Sequence, residues 1–199
     1  MLRLWLLRHG ETMGNRERRY IGVTDEPLSV QGEQALRGLS IPQPEAVYTS
    51  PMLRCVQTAR LLFPGQRLHI LEELSECDFG EFENKNHLEL SGDPRYQAWI
   101  DSQGRMAFPG GESREAFRER SRRGFQKAVA GCIRKGVTYG AVVAHGGTIM
   151  NLMEEFAQEP GDFYHWHVGN GGGYLVALEE ALWEKGRRSF RILEERRKI

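Results

Sequence analysis

A chain of 199 residues is long enough to enclose a substantial core and sits at the top of the range of about 100–200 residues typical of one domain. Its 27 basic and 27 acidic side chains cancel, which argues against a surface built for nucleic-acid backbone or anionic lipid. Cys55, Cys77 and Cys132 are odd in number and widely spaced, which argues against a disulfide framework or a zinc ribbon and fits a reducing cytoplasm.

The first apolar run, Leu2 to Leu7, reads as a strand buried on both faces. It is too short for a secretory core and leads straight into Arg8, His9 and Glu11, so a soluble, untargeted chain is expected. No later run approaches the ~20 apolar residues of a membrane span. A short helix is expected from Ser29 to Leu39, then a second strand at Ala46–Thr49. Ser50 as N-cap and Pro51 at the first helical position predict a helix buried through Met52, Cys55, Val56, Ala59, Leu62 and Phe63 and closed by Pro64-Gly65. Cys55 then reads as core rather than as a nucleophile. A long helix from Ser113 to Gly136 buries Phe117, Phe125, Ala128, Val129, Cys132 and Ile133. Arg118, Arg120, Arg122 and Arg123 alternate with glutamates on it as on a solvated face. Ala141–Ala144 is a further strand with a helix after it; Tyr174–Leu178 and Phe190–Leu193 are late strands, one of them at an edge. Alternating strands and helices predict an α/β fold, a three-layer α/β/α single domain with a mostly parallel central sheet.

Two strand ends carry the chemistry. LLRHGET delivers Arg8 and His9, and VVAHGGT delivers His145 followed by Gly146. An arginine fork matches phosphate oxygens and keeps its proton, while a neutral imidazole can attack phosphorus near pH 7. In a parallel sheet, ligands bind at the carboxyl ends of the strands, where both histidines would meet. Arg54, in the first turn of the helix after the second strand, faces the same rim, and helix N-termini favour anions. The glycine run 169–173 misses a dinucleotide fingerprint because Tyr174 occupies the last glycine position, and reads as a turn or close-approach loop. His69, His87, His165 and His167 read as structural; His165 and His167 would share a strand face, yet no third metal ligand accompanies them.

The sequence resembles the histidine phosphatase superfamily, the phosphoglycerate mutase-like family. The resemblance runs through LLRHGET; Asp25, Pro27-Leu28-Ser29, Gly32 and Gln34-Ala35; YTSPMLRCVQTA; LSECDFGEFE; PGGES; and AHGGTI, in order over nearly the whole chain. It implies one domain over 1–199 with a short cap-like segment at about 78–110, and phosphoryl transfer through phosphohistidine. His9 would be the nucleophile; Arg8, Arg54 and His145 would grip the phosphoryl group, with Asn15 and Gly146 at its edge. Glu76 stands where the family's phosphatases carry the proton donor, among Glu73, Asp78, Glu81 and Glu83, which read as surface charge. No cofactor and no metal are expected, and the partner is a small phosphorylated metabolite; a homodimer stays open. FGEFENKNHLEL and FPGGES look most like bacterial α-ribazole phosphatase-like members, from which Asn84 and Met150 depart. The short stretch between Glu76 and Gly111 favours hydrolysis over a phosphoglycerate mutase, and the intact charged set argues against a silent phosphate-binding module. Phe79, Phe82, Tyr96, Trp99 and Phe108 in that stretch would either stack on a substrate or cover the core.

Overall fold

The computed structural model describes residues 1–196. In chain order its elements are β1 (Leu2–Arg8), α1 (Met13–Arg16), α2 (Val30–Arg37), β2 (Ala46–Thr49), α3 (Leu53–Leu62), β3 (Leu68–Ile70), α4 (Pro94–Asp101), α5 (Arg114–Arg134), β4 (Tyr139–Ala144), α6 (Gly146–Phe156), β5 (Gly173–Leu178), α7 (Glu180–Glu184) and β6 (Arg191–Arg196). The six strands form one sheet in the order β3-β2-β4-β1-β5-β6. The first four lie parallel, while β5 runs antiparallel to both of its neighbours. The expected mostly parallel α/β sheet is therefore what this chain builds.

The side-chain period of two sends alternate residues of β1 into two cores. Leu2, Leu4 and Leu6 pack with Phe125, Val129 and Cys132 of α5 and Ile149, Leu152 and Met153 of α6. Trp5 and Leu7 pack on the other face with Leu36 of α2 and Cys55, Ala59 and Leu62 of α3. A strand with both faces covered cannot show alternating polarity, which explains why the LRLWLL run is apolar but for the exposed Arg3. Register then does the positioning. Arg8 pairs with Ala144, so the next residue on each strand is a histidine, and the His9 amide donates to Ala144 O at 3.0 Å.

Several expectations need correction. The helix after β2 starts at Leu53 with Met52 as its N-cap, not at Pro51 with Ser50 capping. Asp25 Oδ1 takes up the Leu53 N–H at 2.7 Å, and the Ser50 hydroxyl accepts from Met52 N at 3.3 Å. His165 lies in a 3-10 turn, Phe163–Trp166, with His167 just beyond it, so the two share no strand. Phe190 only bridges to Ala157, and the final strand runs on through the alternating, exposed residues of β6, an edge. β3, α4 and α7 are short elements that the sequence reading lacked.

Gly173 marks the tightest join between the two halves of the sheet. A Cβ added there would lie 2.0 Å from the Leu6 carbonyl oxygen, a backbone atom that cannot rotate away. Gly173→Ala is expected to destabilise by about 2–3 kcal/mol, or a fall in Tm of about 4–12 °C at about 2–4 °C per kcal/mol for this size. Gly38→Ala is the control, because Gly38 is right-handed (φ −78°) and its nearest new contact is at 3.4 Å. Equal melting temperatures for the two variants would refute this account of the join.

Candidate active site

His9 and His145 stand edge to face at the strand ends, with ring centroids 5.2 Å apart. The Nδ1 of His9 lies 2.7 Å from Gly10 O, and a carbonyl only accepts, so Nδ1 carries the hydrogen. The lone pair of the neutral ring is thereby left on Nε2. Burial first, and then the charges of Arg54 and Arg8, hold the pKa of His9 well below its ordinary value, so the ring is neutral at pH 7. His145 is lowered in the same way, with burial the largest cause. Its Nε2 lies 2.8 Å from Ser50 Oγ, which also accepts from Met52 N at 3.3 Å.

Arg54 is 0 % exposed, yet among the described residues it forms no ion pair. Its terminal nitrogens donate to Thr24 O at 2.8 Å and Gly22 O at 2.9 Å, and its Nε is buried without a partner. Arg8 repeats this: Nη1 donates to Val168 O at 2.7 Å, and Nε is again buried and unmet. Two guanidinium groups held only by carbonyls are an incomplete arrangement, and a bound anion completes it. Gly146, the first residue of α6, lies against Arg8, where a Cβ would come 3.4 Å from the guanidinium carbon.

Glu76 sits on the other side of α6's first turn. Its Oε2 accepts from Gly147 N at 3.0 Å and its Oε1 from Cys77 N at 3.1 Å. Burial raises its pKa above the usual carboxylate value, against the opposing pull of those amides and of Arg54 and Arg8. Arg120, read from sequence as solvated, turns inward and donates to Ser75 O at 2.8 Å and Glu76 O at 3.0 Å while pairing with Glu112 at 2.6 Å. That clasp fixes the Glu76 backbone. Glu83 is no surface charge either, because its Oε1 accepts from Gly22 N at 2.8 Å and Thr24 N at 2.9 Å and braces the loop that holds Arg54.

Asn15 closes the set through a residue the sequence reading missed. Asn170 Nδ2 donates to Asn15 Oδ1 at 2.8 Å and to His9 O at 3.2 Å, and the Gly171 N–H meets His9 O at 3.0 Å. The glycine run is therefore the close-approach loop expected of it. With Asn15 Oδ1 also accepting from Thr12 N, its NH₂ group is the part left to donate. The structure thus gathers Arg8, His9, Asn15, Arg54, Glu76, His145 and Gly146 at one rim.

A cavity of about 270 Å³ opens from Arg8, Glu76 and Gly147. Phe79, Trp99 and Phe108 of the 78–110 stretch line it, whereas Phe82 is fully buried, so the aromatic stretch both walls a pocket and covers the core. Tyr20, Phe117, Phe163 and Tyr164 complete the aromatic wall, and His167 also lines the cavity. Cys55 is core, its thiol pushed up to about 12 by burial. Among the described residues no group of three His, Cys, Asp or Glu side chains is arranged to hold a metal ion, and no helix is long and apolar enough to cross a membrane.

Residues 4–189 match the family model of the histidine phosphatase superfamily (branch 1). The adenosylcobalamin/alpha-ribazole phosphatase of Escherichia coli (strain K12) is 31% identical over 182 residues, covering 85% of this chain and 87% of the relative. The 2,3-bisphosphoglycerate-dependent phosphoglycerate mutase 2 of Gloeobacter violaceus is 32% identical over 168 residues, covering 78% of this chain and 75% of its own. The crystal structure of a putative alpha-ribazole-5'-P phosphatase from Escherichia coli superposes with a TM-score of 0.82 at 26% identity, over 100% of this chain and 98% of that one. This chain belongs to the histidine phosphatase superfamily, branch 1, as an enzyme of its phosphatase and mutase class.

Proposed function

We propose that the protein is a phosphomonoester hydrolase working through a phosphohistidine on His9, with α-ribazole 5′-phosphate its leading substrate. The observation that carries the reading is the pair of guanidinium groups, Arg54 buried and Arg8 half-buried, each with a buried, unmet Nε, around a neutral histidine whose Nδ1 is tied to Gly10 O. A phosphoryl group in transfer spreads charge over three equatorial oxygens, which Arg8, Arg54, His145 and the Asn15 amide would meet.

The His9 Nε2 lone pair forms the P–N bond as the ester P–O bond breaks. Protonated Glu76 gives its proton to the departing oxygen. The Glu76 carboxylate then takes a proton from water, whose oxygen attacks phosphorus as the P–N bond breaks. Inorganic phosphate leaves, and both residues return to their starting states. The aromatic cavity beside Glu76 supports a leaving group with a flat ring, which α-ribazole has and phosphoglycerate lacks. The named mutase among the relatives sustains phosphoglycerate exchange as the second reading.

The deciding assay is phosphate release in EDTA from α-ribazole 5′-phosphate, 3-phosphoglycerate and an aryl phosphate. Selective turnover of the riboside is expected; exchange of phosphate between glycerate positions with little free phosphate would establish the mutase instead. His9→Ala is expected to abolish the acid-labile phosphoenzyme seen in rapid-quench labelling, and persistent labelling would move the nucleophile elsewhere.

For alkyl esters, kcat/KM is expected to follow a bell in pH. Protonating His9 removes the nucleophile, and since its pKa is lowered, the acid limb lies below the ordinary histidine value. Deprotonating Glu76 removes the acid, and since its pKa is raised, the alkaline limb lies above the ordinary carboxylate value. Glu76→Gln should cost about 10²–10⁴ on alkyl esters, far less on aryl phosphates, and should erase the alkaline limb. Survival of that limb in the variant would exclude Glu76 as its source.

A further inference from the structure

Between α5 and the β3 edge of the sheet lies a second hollow, of about 540 Å³, which shares no lining residue with the cavity at Arg8. It opens where α5 carries Ala130 and Gly131. A Cβ at Gly131 would lie 2.1 Å from the Tyr48 hydroxyl oxygen, so glycine lets the Tyr48 ring come up against the helix. That ring stacks on His69 of β3 with centroids 5.0 Å apart, and both line the hollow.

Four cations line it as well, Arg67, Lys127, Arg134 and Lys135, and no carboxylate does. In a chain whose charges cancel, this is a local excess. Elsewhere on α5, Arg114, Arg118, Arg120, Arg122 and Arg123 each meet a glutamate. Here Glu73 answers Lys127 from outside the hollow, and among the described residues no carboxylate comes within ion-pair reach of Arg67, Arg134 or Lys135. The Lys135 ammonium, which can only donate, instead meets His69 Nε2 at 3.0 Å, so that nitrogen holds the lone pair of a neutral ring. Burial, and then the charges of Lys135 and Arg67, hold the pKa of His69 below its ordinary value.

The helix dipole accounts for part of this excess, because Arg134 and Lys135 stand at the C-terminal end of α5, where cations are favoured. Arg67 precedes β3 and Lys127 lies two turns earlier on α5, so neither answers that dipole. Lys127 and Arg134 are separated by about 10.5 Å along the helix axis at a rise of 1.5 Å per residue. Drawing both onto one phosphate would crowd like charges, whereas a row of linked phosphates meets each where it stands.

We propose that this hollow binds an oligophosphate, three or more linked phosphates whose oxygens Arg67, Lys127, Arg134 and Lys135 meet together through charge-assisted hydrogen bonds. The site is separate from phosphoryl transfer at His9, and it stands or falls independently of that reading.

The test follows the His69 ring by NMR, assigned through His69→Gln, in a His9→Ala background that removes turnover at the first site. An ionic strength of about 0.1 M screens charges more than about 10 Å away, so the ring reports this hollow. Tripolyphosphate is expected to shift it saturably, with a Kd about 10-fold or more below that of inorganic phosphate. Arg67→Gln combined with Arg134→Gln should weaken tripolyphosphate by about 10-fold; both side chains are exposed, so the fold tolerates the change. Arg37→Gln combined with Arg118→Gln removes the same charge from other faces and should leave the Kd within about 2-fold. ATP separates two sources of the ligand. Affinity no tighter than that of tripolyphosphate assigns a free oligophosphate, tighter binding assigns a nucleotide whose base adds contacts beside His69, and either upholds the site. No saturable shift, equal affinities for phosphate and tripolyphosphate, or equal losses in the two double variants would overturn it.

Discussion

Arg54 is sealed in the protein and Arg8 faces the cavity, and neither meets a carboxylate in an ion pair. Charge placed where water is scarce must be answered nearby, and here backbone carbonyls of Gly22, Thr24 and Val168 do so only in part. Much of the surrounding structure follows from that deficit. The loop that supplies two of the carbonyls must be rigid, and Glu83 holds its amides from the other side. The two histidines beside the guanidinium groups are kept neutral by burial first, and then because a further positive charge there is repelled. The same two cations pull against the burial that raises Glu76, so that carboxyl is tuned by opposing forces rather than by one.

Register is the second constraint. The parallel pairing of β1 with β4 puts Arg8 level with Ala144, and both strands then end in a histidine at the same height. A slip of one residue would turn Leu4 and Leu6 to the face that Trp5 and Leu7 now fill, so core packing and catalytic geometry enforce the same alignment. The antiparallel neighbour β5 contributes differently. Its leading loop brings Asn170 and Gly171 against the His9 carbonyl, and it needs glycine at position 173 to approach β1 so closely.

This division explains what was legible in the sequence. Arg8, His9 and His145 stood out because two buried strands advertise themselves as apolar runs, and whatever ends them lies at the sheet's rim. The helices α2 and α5 were legible from Ser29 and Ser113, whose side chains cap Gly32 N at 2.9 Å and Ala116 N at 3.1 Å. The same rule misled at Ser50, since Asp25, distant in sequence, takes the Leu53 N–H, while Ser50 accepts only from Met52 N ahead of the helix and also meets His145. Arg120 and Glu83 were misread for a related reason. Local charge alternation marks a solvated face only if no distant backbone needs the charge, and both side chains are recruited by loops far along the chain. Asn170 carried a signal in its glycine run, but only β5 lying beside β1 gives that run its target.

The two ends of the cavity obey different physics, and this separates what relatives can share from what each must build for itself. At the Arg8 end, rigid strand ends and incompletely met cations impose an arrangement with little freedom, because any displacement leaves that charge less well met. The other end is a wall of rings from Tyr20, Phe79, Trp99 and Phe108, contacting one another at tilted and edge-to-face angles. Such a wall changes with the volume of a side chain at modest energetic cost. The placement of the charged residues is therefore fixed by the sheet, while the shape of the cavity falls to the 78–110 stretch and to one face of α6. Met150 and Asn151 lie on that helix with the cavity against both. A methionine there leaves the wall apolar and adaptable.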